Sequence, residues 1–363
     1  MNRASSLRVC LVAPGRGPGG QAVQAAELTS WLRATGAVEP ILVATDRALP
    51  GVLRPIDRIP FVRTVVRHLL LGPTLVRVAR TCDLIHVFAP AHWAFLLSAG
   101  LAVVAGRRAG RPVIVNYHSG EAPDHLRRSP RAIRWVLRRA AMLVVPSEFL
   151  ATAFARHGHR ARVIRNGVDP ARFQWRSRPG PYRRFLCTRH FERHYDVGTA
   201  LRAFSRIHRE RPDAKLTLVG AGTEEAELRH LRDALALGDA VTFAGPAQPR
   251  EIQRYYDDHD VYLNSSVVDN QPLSILEAMS AGLVVVTTAA GGITDLVADG
   301  RTGRLAEPRS ADGLARAAVA VMDDPAGFAA LAGAARDVTT RHHPAAVAAA
   351  WVAAYRDVTM ERN

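Results

Sequence analysis

The sequence predicts an α/β protein of two doubly wound domains, each a parallel sheet covered by helices. Three observations predict it. Short apolar runs alternate with helix-length amphipathic segments in both halves of the chain. A stretch near Asp169–Pro181, punctuated by Pro170, Pro179, Gly180 and Pro181, carries no apolar periodicity and separates the halves. The 363 residues suffice for two domains of ordinary size.

The elements follow in order. Leu7–Ala13 reads as a strand and Gln21–Leu32 as a helix. Ile41–Thr45, Leu84–Phe88, Pro112–His118, Met142–Val145 and Arg162–Ile164 are the further strands of the first half. The second half gives Phe185–Thr188, Lys215–Val219, Val241–Phe243, Val261–Leu263 and Leu283–Thr287. Ala91–Ala105 reads as a buried helix. Leu84 to Gly106 carries no formal charge, but Pro90, His92, Ser98 and Gly100 interrupt it, which argues against a transmembrane span. The last helix, about Pro344–Val358, spaces Val347, Trp351 and Ala354 along one side. The expected domains are 1–170 and 183–340, with a linker at 171–182 and a final helical segment at 341–363.

Hydrophobic content of 48% against 22% charged residues is globular rather than disordered. Cys10, Cys82 and Cys187 are odd in number and form no Cys-x-x-Cys pair, so they read as buried free thiols of a reducing cytosol. No N-terminal signal segment is visible, because residues 5–9 run straight into a strand. The net charge is +15, and Lys215 is the sole lysine, so arginine carries the excess. After Ser129-Pro130, an N-cap followed by a first-turn proline, Arg131, Arg134 and Arg138 share one helix face. Ile133, Val136, Leu137 and Ala140 line another, and Arg127 and Arg128 precede them. Arg63, Arg67, Arg77 and Arg80 flank Val65–Val78. Such a surface is either an ordinary solvated face or a peripheral contact with an anionic membrane. No nucleic-acid partner is expected, since no aromatic-interleaved basic motif or binding module is present.

Between Asp269 and Asp295 the only ionisable side chain is Glu277, inside an apolar run. A lone carboxylate there costs several kcal/mol unless a protein group or a ligand hydroxyl partners it. Pro272 fits the first helical position, so Asp269-Asn270-Gln271 forms the entering loop and Glu277 falls in the second turn. Loop amides and a helix N-terminus suit a phosphate or sugar oxygen, and carboxylates accept hydrogen bonds from vicinal hydroxyls. His118 and Arg189 each follow a strand, where ligands of open α/β sheets gather. An arginine there meets a diphosphate with paired donors, or forms a surface pair with Glu192. The turn Ala13-Pro14-Gly15-Arg16-Gly17-Pro18-Gly19-Gly20-Gln21 lets the backbone approach a ligand closely. It lacks the lysine of a P-loop, and no acidic residue stands convincingly at the end of the second strand.

The segment from Asp269 through Glu277-Ala278-Met279-Ser280-Ala281-Gly282 to Gly291-Gly292-Ile293 resembles the signature of retaining glycosyltransferases of the GT-B fold, family four, also called glycosyl transferases group 1. Gly19-Gly20, His118, Asn166-Gly167-Val168-Asp169, Arg189, Gly220-Ala221-Gly222 and Gly245 match further pieces in family order. The resemblance implies two Rossmann-like domains facing a deep interdomain cleft, acceptor side first and nucleotide-sugar side second, with the last helix returning to the first domain. It implies a metal-independent reaction with no cofactor and with a nucleotide-diphosphate sugar as donor. Glu277 would bind the ribose hydroxyls. Asp269 and the backbone of Asn270, Gln271, Pro272 and Leu273 would contact the donor sugar and phosphate. Arg189 would hold the diphosphate, and His118 would lie near the transferred sugar. Gly19 and Gly20 would border the cleft, and Asn166 would shape its floor.

Two departures stand out. The first acid is Asp269 rather than glutamate. The lysine expected after the arginine is absent from Arg189-His190-Phe191-Glu192-Arg193-His194, leaving Arg193 or His194 as substitutes. Two other readings share this architecture: a sugar-nucleotide epimerase and a non-catalytic nucleotide-sugar binder. The acceptor is open among lipid-linked, glycan and small-metabolite classes, and the expected setting is cytoplasmic.

Overall fold

A computed structural model describes residues 6–15 and 20–360. The chain divides into two compact units, Met1–Gly167 with Pro344–Asn363, and Val168–His343.

The first unit is built on six strands: β1 (Leu7–Ala13), β2 (Val38–Ala44), β3 (Leu84–Ala89), β4 (Val113–Tyr117), β5 (Met142–Val145) and β6 (Arg162–Val163). Their order is β2-β1-β3-β4-β5-β6, all parallel. The central strands are continuous Val/Ile/Leu runs because both faces are covered. One face packs Cys10, Val12, Ile85, Val87 and Val115 against helices Pro60–Ala79, Leu101–Ala109 and Pro130–Leu137. The other packs Val9, Leu11, Leu84, Phe88 and Ile114 against helices Gly20–Ala34 and Pro344–Met360. Val347, Trp351, Tyr355 and Val358, spaced at helical intervals, bury the last helix in that layer.

The second unit repeats the plan with β7 (Arg184–Thr188), β8 (Lys215–Val219), β9 (Val241–Gly245), β10 (Val261–Leu263), β11 (Val284–Thr288) and β12 (Arg304–Ala306). Their order is β12-β11-β10-β7-β8-β9. Strand direction of travel reverses between β7 and β10, a topological switch point that opens a crevice at the strands' carboxyl ends. In the first unit the corresponding point lies between β1 and β3.

Local differences from the sequence reading have physical reasons. β12 was unmarked in the sequence, since Arg-Leu-Ala has no apolar run and becomes a strand by pairing with β11. Residues 171–182 belong to the second unit. Phe173 is in its core, and Arg178 donates to the carbonyls of Asp257, Tyr256 and Ala281 at 2.6, 2.9 and 3.0 Å. The apolar segment after β3 is broken into His92–Phe95, a π-helical turn Leu96–Gly100 and Leu101–Ala109, with Trp93 and Leu96 exposed. Among the described residues no single helix is long and apolar enough to cross a membrane. Cys10, Cys82 and Cys187 are buried and unbridged.

Candidate active site

The crevice of the second unit is furnished from three strand ends. β7 delivers Thr188 and Arg189, β10 delivers Asn264 and Ser266, and the loop beyond holds Asp269. Arg189 donates from Nε to Asn264 Oδ1 at 2.8 Å and from Nη2 to Asp269 Oδ2 at 2.6 Å. The ion pair is nearly sequestered, with side-chain exposures of 8% and 12%. Asn264 is fixed in turn by donating to Thr287 Oγ1 at 2.8 Å. The guanidinium lies over the Tyr195 ring, 4.9 Å from its centroid. Burial alone would lower the Arg189 pKa, but the Asp269 carboxylate more than offsets this and holds it above the usual range. Asp269 Oδ1 receives the Asn270 amide at 2.9 Å, and the Ser266 hydroxyl lies within reach of both Asn264 Oδ1 at 3.0 Å and Asp269 Oδ2 at 3.3 Å.

Asn270, Gln271 and Pro272 are buried and lead into helix Leu273–Ala281. Pro272 is the cap residue in extended conformation rather than the first helical one. The first amides of a helix have no intrahelical acceptor and so point at any anion there. The loop is pinned by close approach of Gly292. A Cβ there would stand 2.3 Å from the Asn270 carbonyl oxygen. Gly220 plays the same part for the Arg189 loop, where a Cβ would meet the Arg189 carbonyl oxygen at 1.9 Å.

Glu277, partly buried, has a protein partner. Tyr256 donates its hydroxyl proton to Glu277 Oε2 at 2.7 Å. With that proton committed, the 2.8 Å contact between Thr188 Oγ1 and Tyr256 has Thr188 as donor. A chain Glu277–Tyr256–Thr188 thus ties the helix to the end of β7, one residue from Arg189. Burial raises the Glu277 pKa, and Tyr256, Arg172 and Arg189 pull it back in part. Among the described residues the other carboxylate oxygen, Oε1, takes no hydrogen bond.

In the first unit His118 follows β4 and stacks on Phe88 at 5.1 Å and 10°. Burial lowers its pKa to about 4, so the imidazole is neutral near pH 7. His118 and Asn166 line one small cavity with Asn116, Phe88, Trp31 and Trp351. Behind it sits His86, which is wholly buried. Its Nε2 accepts from Asn116 Nδ2 at 3.0 Å, so the proton is on Nδ1, donated to Tyr355 at 2.8 Å. Trp351 and Phe88 sandwich the His86 ring at 4.2 and 4.9 Å.

Two family models match this chain. Glycosyltransferase Family 4 covers residues 18–172, and Glycosyl transferases group 1 covers residues 182–324. The chain belongs to the family four, group 1 glycosyltransferases. It is 32% identical to a glycogen synthase of Mycobacterium tuberculosis over 231 residues, covering 61% of this chain and 56% of that protein. It is 28% identical to the sulfoquinovosyl transferase of Arabidopsis thaliana over 274 residues, 69% and 52% of the two chains. The chain therefore spans about half the length of these curated relatives. Among solved structures, HepE of Anabaena in complex with UDP-glucose matches with a TM-score of 0.76 at 19% identity, covering 97% and 100% of the chains. Sucrose-phosphate synthase of Thermosynechococcus elongatus gives 0.77 at 21%, covering 98% and 100%. These likenesses establish the GT-B fold.

In this family four chain the expected residues fall into two groups. Arg189, Asp269, Asn270, Gln271, Pro272, Leu273 and Glu277 lie around the second unit's crevice, whereas His118 and Asn166 share the first unit's cavity. Gly20 begins helix Gly20–Ala34, and Gly19 lies outside the described residues. His194 is exposed, and its carbonyl accepts the amides of Val267 and Val268. Arg193 is exposed too. Three details differ from the sequence reading. Arg189 pairs with Asp269 and not with Glu192, which instead accepts from Thr223. An acid does follow the second strand: Asp46 Oδ1 takes the Gly15 amide at 2.7 Å. Arg63 and Arg67 are held by Asp57 through its carbonyl and carboxylate, so they belong to a loop clasp. Tyr256 and Asn264 were missed because they join the site only when β10 is brought beside β7, and Thr188 and Tyr195, though close to Arg189 in sequence, carry no local signal of their roles.

Proposed function

We propose that this chain is a retaining, metal-independent glycosyltransferase that moves a sugar from a nucleotide-diphosphate donor to an acceptor hydroxyl. The observation that carries the reading is the joining of Arg189 and Glu277 at one switch-point crevice through Thr188 and Tyr256. The UDP and UDP-glucose held by Anabaena HepE support a nucleotide sugar as the donor class.

In this reading the free oxygen of Glu277 accepts a ribose hydroxyl, while Tyr256 keeps the carboxylate aligned. Arg189 and the amides entering helix Leu273–Ala281 face the diphosphate and take up the negative charge that develops as it leaves. The sugar's anomeric C–O bond to the diphosphate breaks. The acceptor oxygen bonds to the same face of that carbon, and its proton passes to a leaving phosphate oxygen. Asp269 acts through Arg189, as a positioning residue. Neutral His118 offers a hydrogen bond to the transferred sugar without charge. His194 or Arg193 stands in for the absent lysine. The setting is cytoplasmic, with peripheral contact at an anionic membrane.

A thermal-shift screen against nucleoside diphosphates and their sugars tests donor recognition. Stabilisation by one base class, abolished in Glu277→Ala, is expected, together with loss of turnover in Arg189→Ala and Glu277→Ala with the fold intact. Unchanged rates in both variants overturn the site assignment. An epimer formed from nucleotide sugar without any acceptor would favour an epimerase instead, and binding without turnover across a broad acceptor panel would favour a non-catalytic binder.

A further inference from the structure

Three helices of one layer of the first unit lie side by side: Pro60–Ala79, the run from His92 to Ala109, and Pro130–Leu137. Each buries one stripe in the same core, with Leu71, Leu75 and Ala79, then Val103 and Ala105, then Ile133 and Val136. The π-helical turn Leu96–Gly100 touches both flanking helices. A Cβ placed on Gly100 would contact Leu96 and Trp135 together, at 3.8 and 3.9 Å.

The opposite stripes of this layer do not follow the usual pattern of a solvated surface. On Pro60–Ala79 the outward positions are Val62, Leu69 and Leu70, with Leu69 69% exposed. On the neighbouring elements they are Leu96 and Trp135, 42% and 39% exposed. Charge around these residues is mostly positive, with Asp57 holding Arg63 and Arg67 and Asp124 pairing with Arg127 and Arg128. From Arg58 to Gly120 the only carboxylate in the sequence is Asp83, and it is engaged by the backbone amide of Arg8. Residues 127–139 hold six arginines and no carboxylate. Arg131, Arg134 and Arg138 project from the same face as Trp135, all exposed, and among the described residues no carboxylate pairs with them. Arg139 lies 4.5 Å from the Trp135 ring centroid.

We propose that this helical layer is a membrane-docking face, seating Leu69, Leu70, Leu96 and Trp135 at the acyl boundary of an anionic bilayer while Arg131, Arg134 and Arg138 meet lipid phosphates. Exposed apolar side chains beside the three unpaired arginines complement a surface that is apolar beneath and anionic above. A soluble acidic protein would satisfy the arginines but leave the leucines and tryptophan without an apolar partner. The face deepens the peripheral-membrane reading, and it stands apart from the transfer chemistry.

The test is flotation of the full chain with vesicles of phosphatidylglycerol and phosphatidylcholine, against phosphatidylcholine alone, with no donor present. Binding to the anionic vesicles, weakened at high salt, is expected. Each arginine near an anionic surface contributes roughly five-fold to partitioning, so Arg131→Glu/Arg134→Glu/Arg138→Glu is expected to lose about a hundred-fold or more. Leu69→Ser/Leu70→Ser is expected to lose roughly ten-fold. A control with the same charge change on the second unit, Arg209→Glu/Arg250→Glu/Arg316→Glu, is expected to bind as the parent. Circular dichroism confirms that each variant is folded. The proposal is overturned by absence of flotation with anionic vesicles, by parent-like binding of the Arg131/Arg134/Arg138 variant, or by equal loss in the control. Retention of the protein on nucleic acid without flotation overturns it as well. Nucleotide-sugar binding measured without lipid reports separately on the transfer reading.

Discussion

Replacing Asp269 by Asn is the sharpest perturbation of the crevice. It keeps the shape and an acceptor oxygen but removes the charge that faces Arg189 at 2.6 Å. Arg189 cannot lose its proton and is only 8% exposed, so it is left as an uncompensated cation with Asn264 as its remaining close partner. Breaking a buried pair this way costs about 3–5 kcal/mol, a large share of the roughly 5–15 kcal/mol that holds a domain together. Urea unfolding followed by circular dichroism reads the loss in the transition of the second unit. The companion Arg189→Met is expected to destabilise by a similar amount, since Asp269 then lacks its cation. The double variant removes both charges and is expected to recover most of the loss, giving a coupling of about 3 kcal/mol. A nucleoside diphosphate supplies the missing anion, so it is expected to raise the melting temperature of Asp269→Asn more than that of the parent at equal saturation. Additive single losses, to within about 0.5 kcal/mol, would refute the argument that the two residues form one electrostatic unit.

Further outcomes follow from the same geometry. The raised Glu277 pKa means that the unfolded chain gives up this proton first, so Glu277 lowers stability once pH exceeds its ordinary value of 4.5. Glu277→Gln is therefore expected to melt higher than the parent at pH 7 and equally at pH 3, while binding nucleotide sugar roughly 10- to 100-fold more weakly for loss of a charged acceptor. His118 has the opposite dependence. With its folded pKa near 4 against 6.5, it contributes stability above pH 6.5 that drains as pH falls towards 4. His118→Asn is expected to flatten that part of a stability–pH profile. Tyr355→Phe strips the acceptor from His86 Nδ1 and is expected to cost about 1–3 kcal/mol in urea unfolding, with nucleotide binding unchanged. Gly292→Ala is expected to weaken nucleotide binding by displacing Asn270, whose carbonyl oxygen would lie 2.3 Å from the new methyl group.

Much of this protein was legible in its sequence because the relevant signals are local. Runs such as Val113–Val115 and Val284–Val286 declare parallel strands buried on both faces, whatever surrounds them. The spacing of Asp269 and Glu277 around Pro272 placed an entering loop and a helix, and the structure moved its start by one residue. The energetic anomaly of Glu277 was also visible, since an isolated carboxylate in an apolar run needs a partner. What the sequence did not contain is that partner. Tyr256 lies 21 residues away on helix Ile252–Asp257 and reaches Glu277 only because the helices on either side of β10 pack together. The pairing of Arg189 with Asp269, 80 residues apart, likewise exists only after sheet order is set. The arginines of Pro130–Leu137 could be counted in the sequence, but their kinship with Leu69 and Leu96 could not. Periodicity fixes which face of one helix is outward, and only packing decides which outward faces become neighbours.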